Sequence, residues 1–278
     1  MGPNAYTNGI VKRMFIATAD QNYATARWAH MNAQDIDFFW LGLHAVEKYL
    51  KAILLMNGGH AKGYGHDIVK LSNAARSIDP DIEFGTLEKP VAVINSAWRD
   101  QSLDEFIEQL KEYGDANNRY MLYGYTISTD HLFKLDQLIY AIRRYCRPLR
   151  QTLKKPDGSE HTINWAQQLK SNRDHWTLGG DTPLERAAKG KGGDELRGAF
   201  FDLNFAFASN FVHSDQQIRH AASNPPLAEW FTRLQSERAD VQTREIAEGT
   251  MRWVLENIQL GKEDKKIIRD ALSAQPPQ

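Results

Sequence analysis

In the stretch FFWLGLHAVEKYLKAILLMNGGHAKGYGHDIVKL, residues 38–71, the side chains of His44, Glu47, Lys48 and Lys51 turn to one side of a helix, and His66-Asp67 follows after a run of glycines. Glu47 precedes Lys51 by one turn, the favourable order for an intrahelical ion pair worth roughly 0.2–0.5 kcal/mol. Phosphate recognition is the chemistry such a set offers. Lys48 or Lys51, with the loop amides around Gly63 to Gly65 and the helix start that follows, would hold an anion. The competing reading is a solvated or interhelical charge set in which Asp67 caps free amides and His66 fastens the loop.

The strongest charge bias lies between Lys134 and Lys155, where Lys134, Arg143, Arg144, Arg147, Arg150, Lys154 and Lys155 face a single acid, Asp136. Arg143, Arg147 and Arg150 fall close in helical angle and are expected as an exposed ridge, outside the stripe Ile139-Ile142-Cys146, with phosphates as its natural ligands. Cations favoured at a helix C-terminus are the alternative. Arg119 is a further candidate ligand contact, because its neighbour Tyr120 fits a core stripe. Ser209-Asn210 and His213-Ser-Asp215 bring hydrolase-type residues together but lack a visible oxyanion hole or orienting acid. The GKGG at 190–193 is not a phosphate-binding loop of the strand-loop-helix type, and no metal motif of recognised spacing occurs, so neither metal nor cofactor is expected.

These residues need elements to position them, and helical periodicity dominates. A first helix is expected from Val11 to Met31. Asp35 caps a second, whose stripe Phe39, Leu43, Val46, Leu50, Ile53 and Leu54 must pack against other helices, with Ala45 and Ala52 beside it. Asn57, Gly58 and Gly59 stop that helix, and Asp67 opens the next. A capping box at Ser102 and Glu105 introduces Phe106, Leu110, Tyr113, Asn117 and Tyr120. Leu132, Leu135, Ile139, Ile142 and Cys146 mark another helix that Pro148 ends. Lys154 to Glu160, KKPDGSE, reads as a surface linker. Beyond it come a short helix at Trp165, a capping box at Thr182 to Glu185, an aromatic helix face Phe200, Leu203, Phe207 and Phe211, and two or three helices from Pro226 to Ala274. The fold class is all-α.

The pattern Ala45-Val46-Glu47-Lys48-x-x-Lys51-Ala52, a glycine-rich stretch, then Gly65-His66-Asp67-Ile68-x-x-Leu71 resembles the HEPN family of helical domains. Arg119-Tyr120 sits where many HEPN chains carry an Arg-Tyr pair. The resemblance covers about residues 12–150. It implies an antiparallel HEPN-like helical bundle at 12–150, followed by a second helical domain at 161–274 of unassigned role. Nucleotide or RNA association, a homodimer and a nucleotidyltransferase partner are further implications. HEPN ribonucleases place an Arg or Asn four to six residues before a His, so that both meet the scissile phosphate on one helix face. No such pair exists in this chain. The expectation is therefore a non-catalytic binding module with Lys48, Lys51, His66, Arg119, Arg143, Arg147 and Arg150 as ligand contacts. The alternatives are a divergent ribonuclease acting as toxin or defence effector, and an accessory protein of a nucleotidyltransferase.

Composition is consistent with a water-soluble chain: of 278 residues, 42% are hydrophobic and 25% charged, with a net charge of -1 that argues against a basic coat over the whole surface. The single cysteine, Cys146, excludes an internal disulfide and a cysteine-rich zinc site. No run reaches the roughly 18 apolar residues of a membrane span, and MGPNAYTNGIVKR has no signal-peptide core. A cytoplasmic location with no membrane partner is expected.

Overall fold

The computed structural model describes residues 5–93, 97–120, 125–154, 158–208, 219–222, 225–257, 260 and 262–274. The fold is all-α, with four short strands in two two-stranded sheets among the described residues. Two compact units make up the chain, Met1–Gly114 with Ile127–His220, and Asp115–Thr126 with Ala221–Gln278.

In the first unit α1 (Ala5–Val11) runs through a π-helical turn at Lys12–Ile16 into α2 (Ala17–Met31). A tight turn, with Ala33 at a φ of 56°, sends the chain back as α3 (Asp35–Met56). The cap of α3 is Gln34, so Asp35 is its first residue rather than its cap. The whole stripe of α3 is buried, Leu50 completely. Asp67 caps α4 (Ile68–Arg76), and the Ser102–Glu105 capping box opens α5 (Leu103–Tyr113).

Helix α5 stops earlier than its stripe suggests. Gly114 closes it, and a Cβ there would stand 2.5 Å from the Phe39 carbonyl oxygen and 2.8 Å from Leu43 Cβ, so the close approach to α3 requires glycine. Asn117 and Tyr120 fall instead in a short 3₁₀ helix, Ala116–Tyr120. β1 (Tyr125–Ser128) then leads into α6 (Thr129–Arg143).

The stretch expected as a linker joins β2 (Arg150–Lys154) to β3 (Glu160–Asn164), an antiparallel hairpin with Arg150 opposite Asn164 and Lys154 opposite Glu160. The chain stays in the first unit across it and continues as α7 (Trp165–Ser171), α8 (Pro183–Ala188) and α9 (Gly193–Phe201). Thr182 is the cap position of α8 but makes no side-chain cap bond, because its hydroxyl and the Glu185 carboxylate both face Arg143. The aromatic helix face expected at Phe200 to Phe211 is broken after α9, where Leu203 takes a φ of 54° and Asn204 is buried. Phe211 lies outside the described residues. In the second unit, α10 (Pro225–Gln235), α11 (Val241–Asn257) and α12 (Lys262–Ser273), which follow β4 (Arg219–Ala222), share a core of Leu234, Ala247, Met251, Val254, Leu260 and Ile268.

The centre of the first unit is ionic. Asp20 and Arg27 lie two turns apart on α2, and Asp136 and Arg143 two turns apart on α6. They pair crosswise, which makes the two helices antiparallel. Arg143 Nε donates to Asp20 Oδ1 at 2.9 Å and Nη2 to Oδ2 at 3.2 Å, while Arg27 Nε donates to Asp136 Oδ1 at 2.9 Å and Nη2 to Oδ2 at 3.3 Å. Each carboxylate also accepts a tyrosine hydroxyl at 2.6 Å, Tyr49 on Asp20 and Tyr23 on Asp136. All four charged side chains are at most 1% exposed.

Leu50→Ala should cost about 2–5 kcal/mol, the range for emptying a closed site, measured by denaturant unfolding. A loss below ~0.5 kcal/mol would mean that α3 is not a core helix. Arg143→Met strands the Asp20 carboxylate in the interior and should cost roughly 3–5 kcal/mol, much of it regained in the Arg143→Met, Asp20→Leu pair. Equal losses in single and double variants would contradict the pairing.

Candidate functional site

On the side of α3 away from the core, His44, Glu47 and Lys51 share a face because residues three and four apart are helical neighbours. The loop after α3 brings His66 back onto them. Gly63 and Gly65 hold φ values of 89° and 57° there, a region that residues with a Cβ seldom adopt, and Lys51 Nζ donates to the Gly65 carbonyl at 2.9 Å. His66 is joined to α3 through one atom, with its Nδ1 lying 2.9 Å from Glu47 Oε2.

Glu47 organises the cluster. Its Oε1 accepts from Lys51 Nζ at 2.5 Å, and its Oε2 faces His44 Nδ1 at 3.3 Å as well as His66 Nδ1. The two imidazole centroids are 5.8 Å apart, and Trp40 meets the His44 ring edge-on at 4.3 Å. Exposure is graded, with the His66 side chain 75% exposed, His44 18% and Glu47 7%. Burial alone would raise the Glu47 carboxyl, but hydrogen bonds from His44, Lys51 and His66 outweigh it and hold the group at about 2. Glu47 is thus ionised at neutral pH. Among the described residues, His44, Glu47 and His66 form the one group of three or more His, Cys, Asp or Glu side chains whose donor atoms all lie within 4.8 Å of one another.

Lys48 stands beside the cluster with its Nζ on the Asn22 amide oxygen at 3.2 Å, and burial lowers its pKa more than Glu47 raises it. The start of α4 is already filled by an anion of the chain. Asp67 Oδ1 accepts from the Lys70 amide, and the same carboxylate contacts Lys111 Nζ at 3.0 Å and Lys70 Nζ at 3.4 Å. A phosphate at that helix end would meet the Asp67 charge.

The arginine ridge does not form. Arg143 is completely buried between Asp20, Thr182 and Glu185; burial would lower its pKa, but Asp20, Tyr49 and Glu185 together more than reverse this and hold it charged. A helical wheel of α6 alone puts Arg143 outside, but chain from residues 182–185 covers that face. Arg147 donates to the Thr177 carbonyl at 2.7 Å, faces His175 Nε2 at 3.3 Å, and lies 4.9 Å over the Trp165 ring. Arg144 binds the carbonyls of Leu169, Asn172 and Arg173. Arg150 is exposed but paired with Asp79 at 3.0 Å. Each cation points at a different partner within the chain. Arg119 lies in the 3₁₀ helix and its side chain is outside the described residues, as are Ser209, Asn210, His213 and Asp215.

Of the expected contacts, Lys51 and His66 meet and Lys48 flanks them. The Glu47–Lys51 ion pair is the one expected from their spacing, whereas the contacts of His44 and His66 with Glu47 are what sequence reasoning missed. The one available signal was the three-residue spacing of His44 and Glu47 within a polar face. Elsewhere in the unit a cavity of about 610 Å³ has Phe84, Phe133 and Tyr140 in its walls, and two of its lining cations are engaged, Lys170 with Glu83 at 2.6 Å and Arg144 with carbonyls. Comparison of the chain with protein-family models, curated proteins and solved structures finds no match in any of the three.

Because the Glu47 carboxyl is held below its ordinary 4.5, the stability it contributes is complete above that pH and is lost as pH falls towards about 2. Thermal melts across this window should show a fall in Tm that is smaller in Glu47→Gln. Identical pH profiles for the two proteins would show that the carboxylate is not held by its three partners.

Proposed function

We propose that the first unit is a HEPN-like module that binds nucleotide or RNA without cleaving it, on the face where α3 meets the glycine-rich loop. The observation that carries this reading is the gathering of His44, Lys51 and His66 around one carboxylate beside Lys48. Lys48 and Lys51 flank Glu47, and Lys70 and Lys111 hold Asp67, so cations gather here on a chain that is nearly neutral as a whole. Lys51 offsets the charge of Glu47, which leaves Lys48 and the exposed imidazole of His66 available to a phosphate. The pattern around Glu47 and His66 that resembles the HEPN family runs through the same residues.

A divergent ribonuclease is the second reading, favoured by the paired imidazoles, since two histidines at this separation suit a general acid and a general base on opposite sides of a phosphodiester. Fluorescence anisotropy with labelled nucleotides and short RNAs at low and physiological salt tests both. Binding should weaken as salt rises, and Lys48→Glu with His66→Ala should weaken it by about tenfold or more, the effect of losing one or two charge-assisted contacts. Arg150→Glu should leave it unchanged. No binding at either salt, or binding indifferent to the Lys48 and His66 changes, would overturn the proposal. RNA cleavage abolished by His66→Ala would establish the second reading instead.

A further inference from the structure

We propose that His44 Nδ1, His66 Nδ1 and Glu47 Oε2 form a mononuclear site for a borderline transition-metal ion, with zinc(II) as its natural occupant. The inference stands apart from the nucleotide reading, because it concerns the metal alone.

Donor geometry is the first argument. Zinc bonds to imidazole nitrogen and carboxylate oxygen are about 2.0–2.2 Å long and tetrahedral, so donors on one ion stand roughly 3.3–3.5 Å apart. Here His44 Nδ1 and His66 Nδ1 lie 3.3 and 2.9 Å from the same oxygen, Glu47 Oε2, and each of the three residues offers a donor atom within 4.8 Å of the other two. Small rotations of two side chains would open the triangle around an ion. Both rings already present Nδ1 to that oxygen, so no ring has to turn over.

The chain provides for this arrangement twice. His44 and Glu47 come from one turn of α3, a rigid element, and His66 arrives through a loop whose Gly63 and Gly65 take left-handed conformations. Lys51 anchors that loop at the Gly65 carbonyl and binds Oε1, the carboxylate oxygen not facing the imidazoles. It therefore orients Glu47 with Oε2 towards the two nitrogens, the task that outer partners perform for metal-binding carboxylates.

Donor chemistry chooses the ion. Two imidazoles and one carboxylate suit zinc and its neighbours, whereas magnesium and calcium prefer sites made wholly of oxygen. Three protein ligands leave one tetrahedral position open, and the exposed side of His66 puts it towards solvent. Lys51 is a cation in contact with a donor group, so it moderates affinity by partly neutralising Glu47.

The test uses the full chain, free of any affinity tag and stripped with a chelator, titrated calorimetrically with zinc chloride and followed by cobalt(II) absorption. One zinc ion per chain is expected, with a cobalt spectrum of tetrahedral type and no heat from magnesium. His44→Ala and His66→Ala should each weaken zinc binding by more than about tenfold. His60→Ala should not, since His60 sits in the same loop but contacts the Lys62 carbonyl and the Tyr64 ring. His66 is largely exposed, so its variant keeps the fold and the test stands even if Glu47→Gln unfolds. Zinc binding that is absent, or equally strong in His66→Ala, overturns the site. Because neither nucleotide nor RNA is present, that failure is separate from failure of the nucleotide reading.

Discussion

The reciprocal pairing of Asp20 with Arg143 and Arg27 with Asp136 is the constraint on which the first unit depends. A buried charge pair contributes little net stability compared with apolar residues of the same shape, yet removing one partner is costly because the other is left charged in a medium that cannot solvate it. Such pairs act mainly on choice among arrangements. A sliding of α2 against α6 by one turn would break both forks together, as each uses two donors aimed at two oxygens. The guanidinium groups have further donors, and these define what covers them. Arg27 reaches the carbonyls of Ala199 and Asp202, and Arg143 reaches Thr182 and Glu185. Chain 172 and 175 residues beyond Arg27, and 39 and 42 residues beyond Arg143, thus completes the hydrogen bonding of the two helices.

The same network reaches the candidate site through α3. Tyr49 donates to Asp20 from the buried side of that helix, and the apolar stripe on either side of it is closed against α2, α5 and α6. With one side locked, the opposite polar face has a set rotation, and His44, Glu47 and Lys51 emerge in a defined direction. Gly114 adds to the lock by letting the end of α5 approach the α3 backbone. The site is thus half rigid helix and half loop. Glu47 bridges the two, and the loop keeps its place through His66, the Lys51 bond to Gly65 and the Asp67 cap.

A carboxylate held by two imidazoles and a lysine has a limited chemical repertoire. Its charge is offset by Lys51, so an anion is not repelled, and its second oxygen faces two nitrogens that can either donate protons to it or share a cation with it. Phosphate binding and metal binding are both consistent with that electrostatic balance. The two proposals call on different surfaces of the same side chains, the exposed edge of His66 with Lys48 for a phosphate and the triangle of donors for an ion.

Periodicity alone determined the helical class, the buried stripe of α3 and the caps at Asp67 and Ser102, because each depends on residues within a turn or two of one another. It also placed Lys51 on the polar face opposite that stripe, since polar residues off an apolar stripe have few other places to point. Tertiary structure decided the rest, for a specific physical reason. Arg143 and Arg147 look exposed on a helical wheel of α6 and its continuation, but a wheel shows only what one helix presents, and later chain lies over that face with carboxylate and carbonyl oxygens aimed at the guanidinium groups. Asp20 and Arg27 gave no local signal, because their partners are on α6. His44 and His66 became neighbours only when the glycine turns folded the loop back over α3, a conformation set by positive φ at two positions and not by any spacing in the chain.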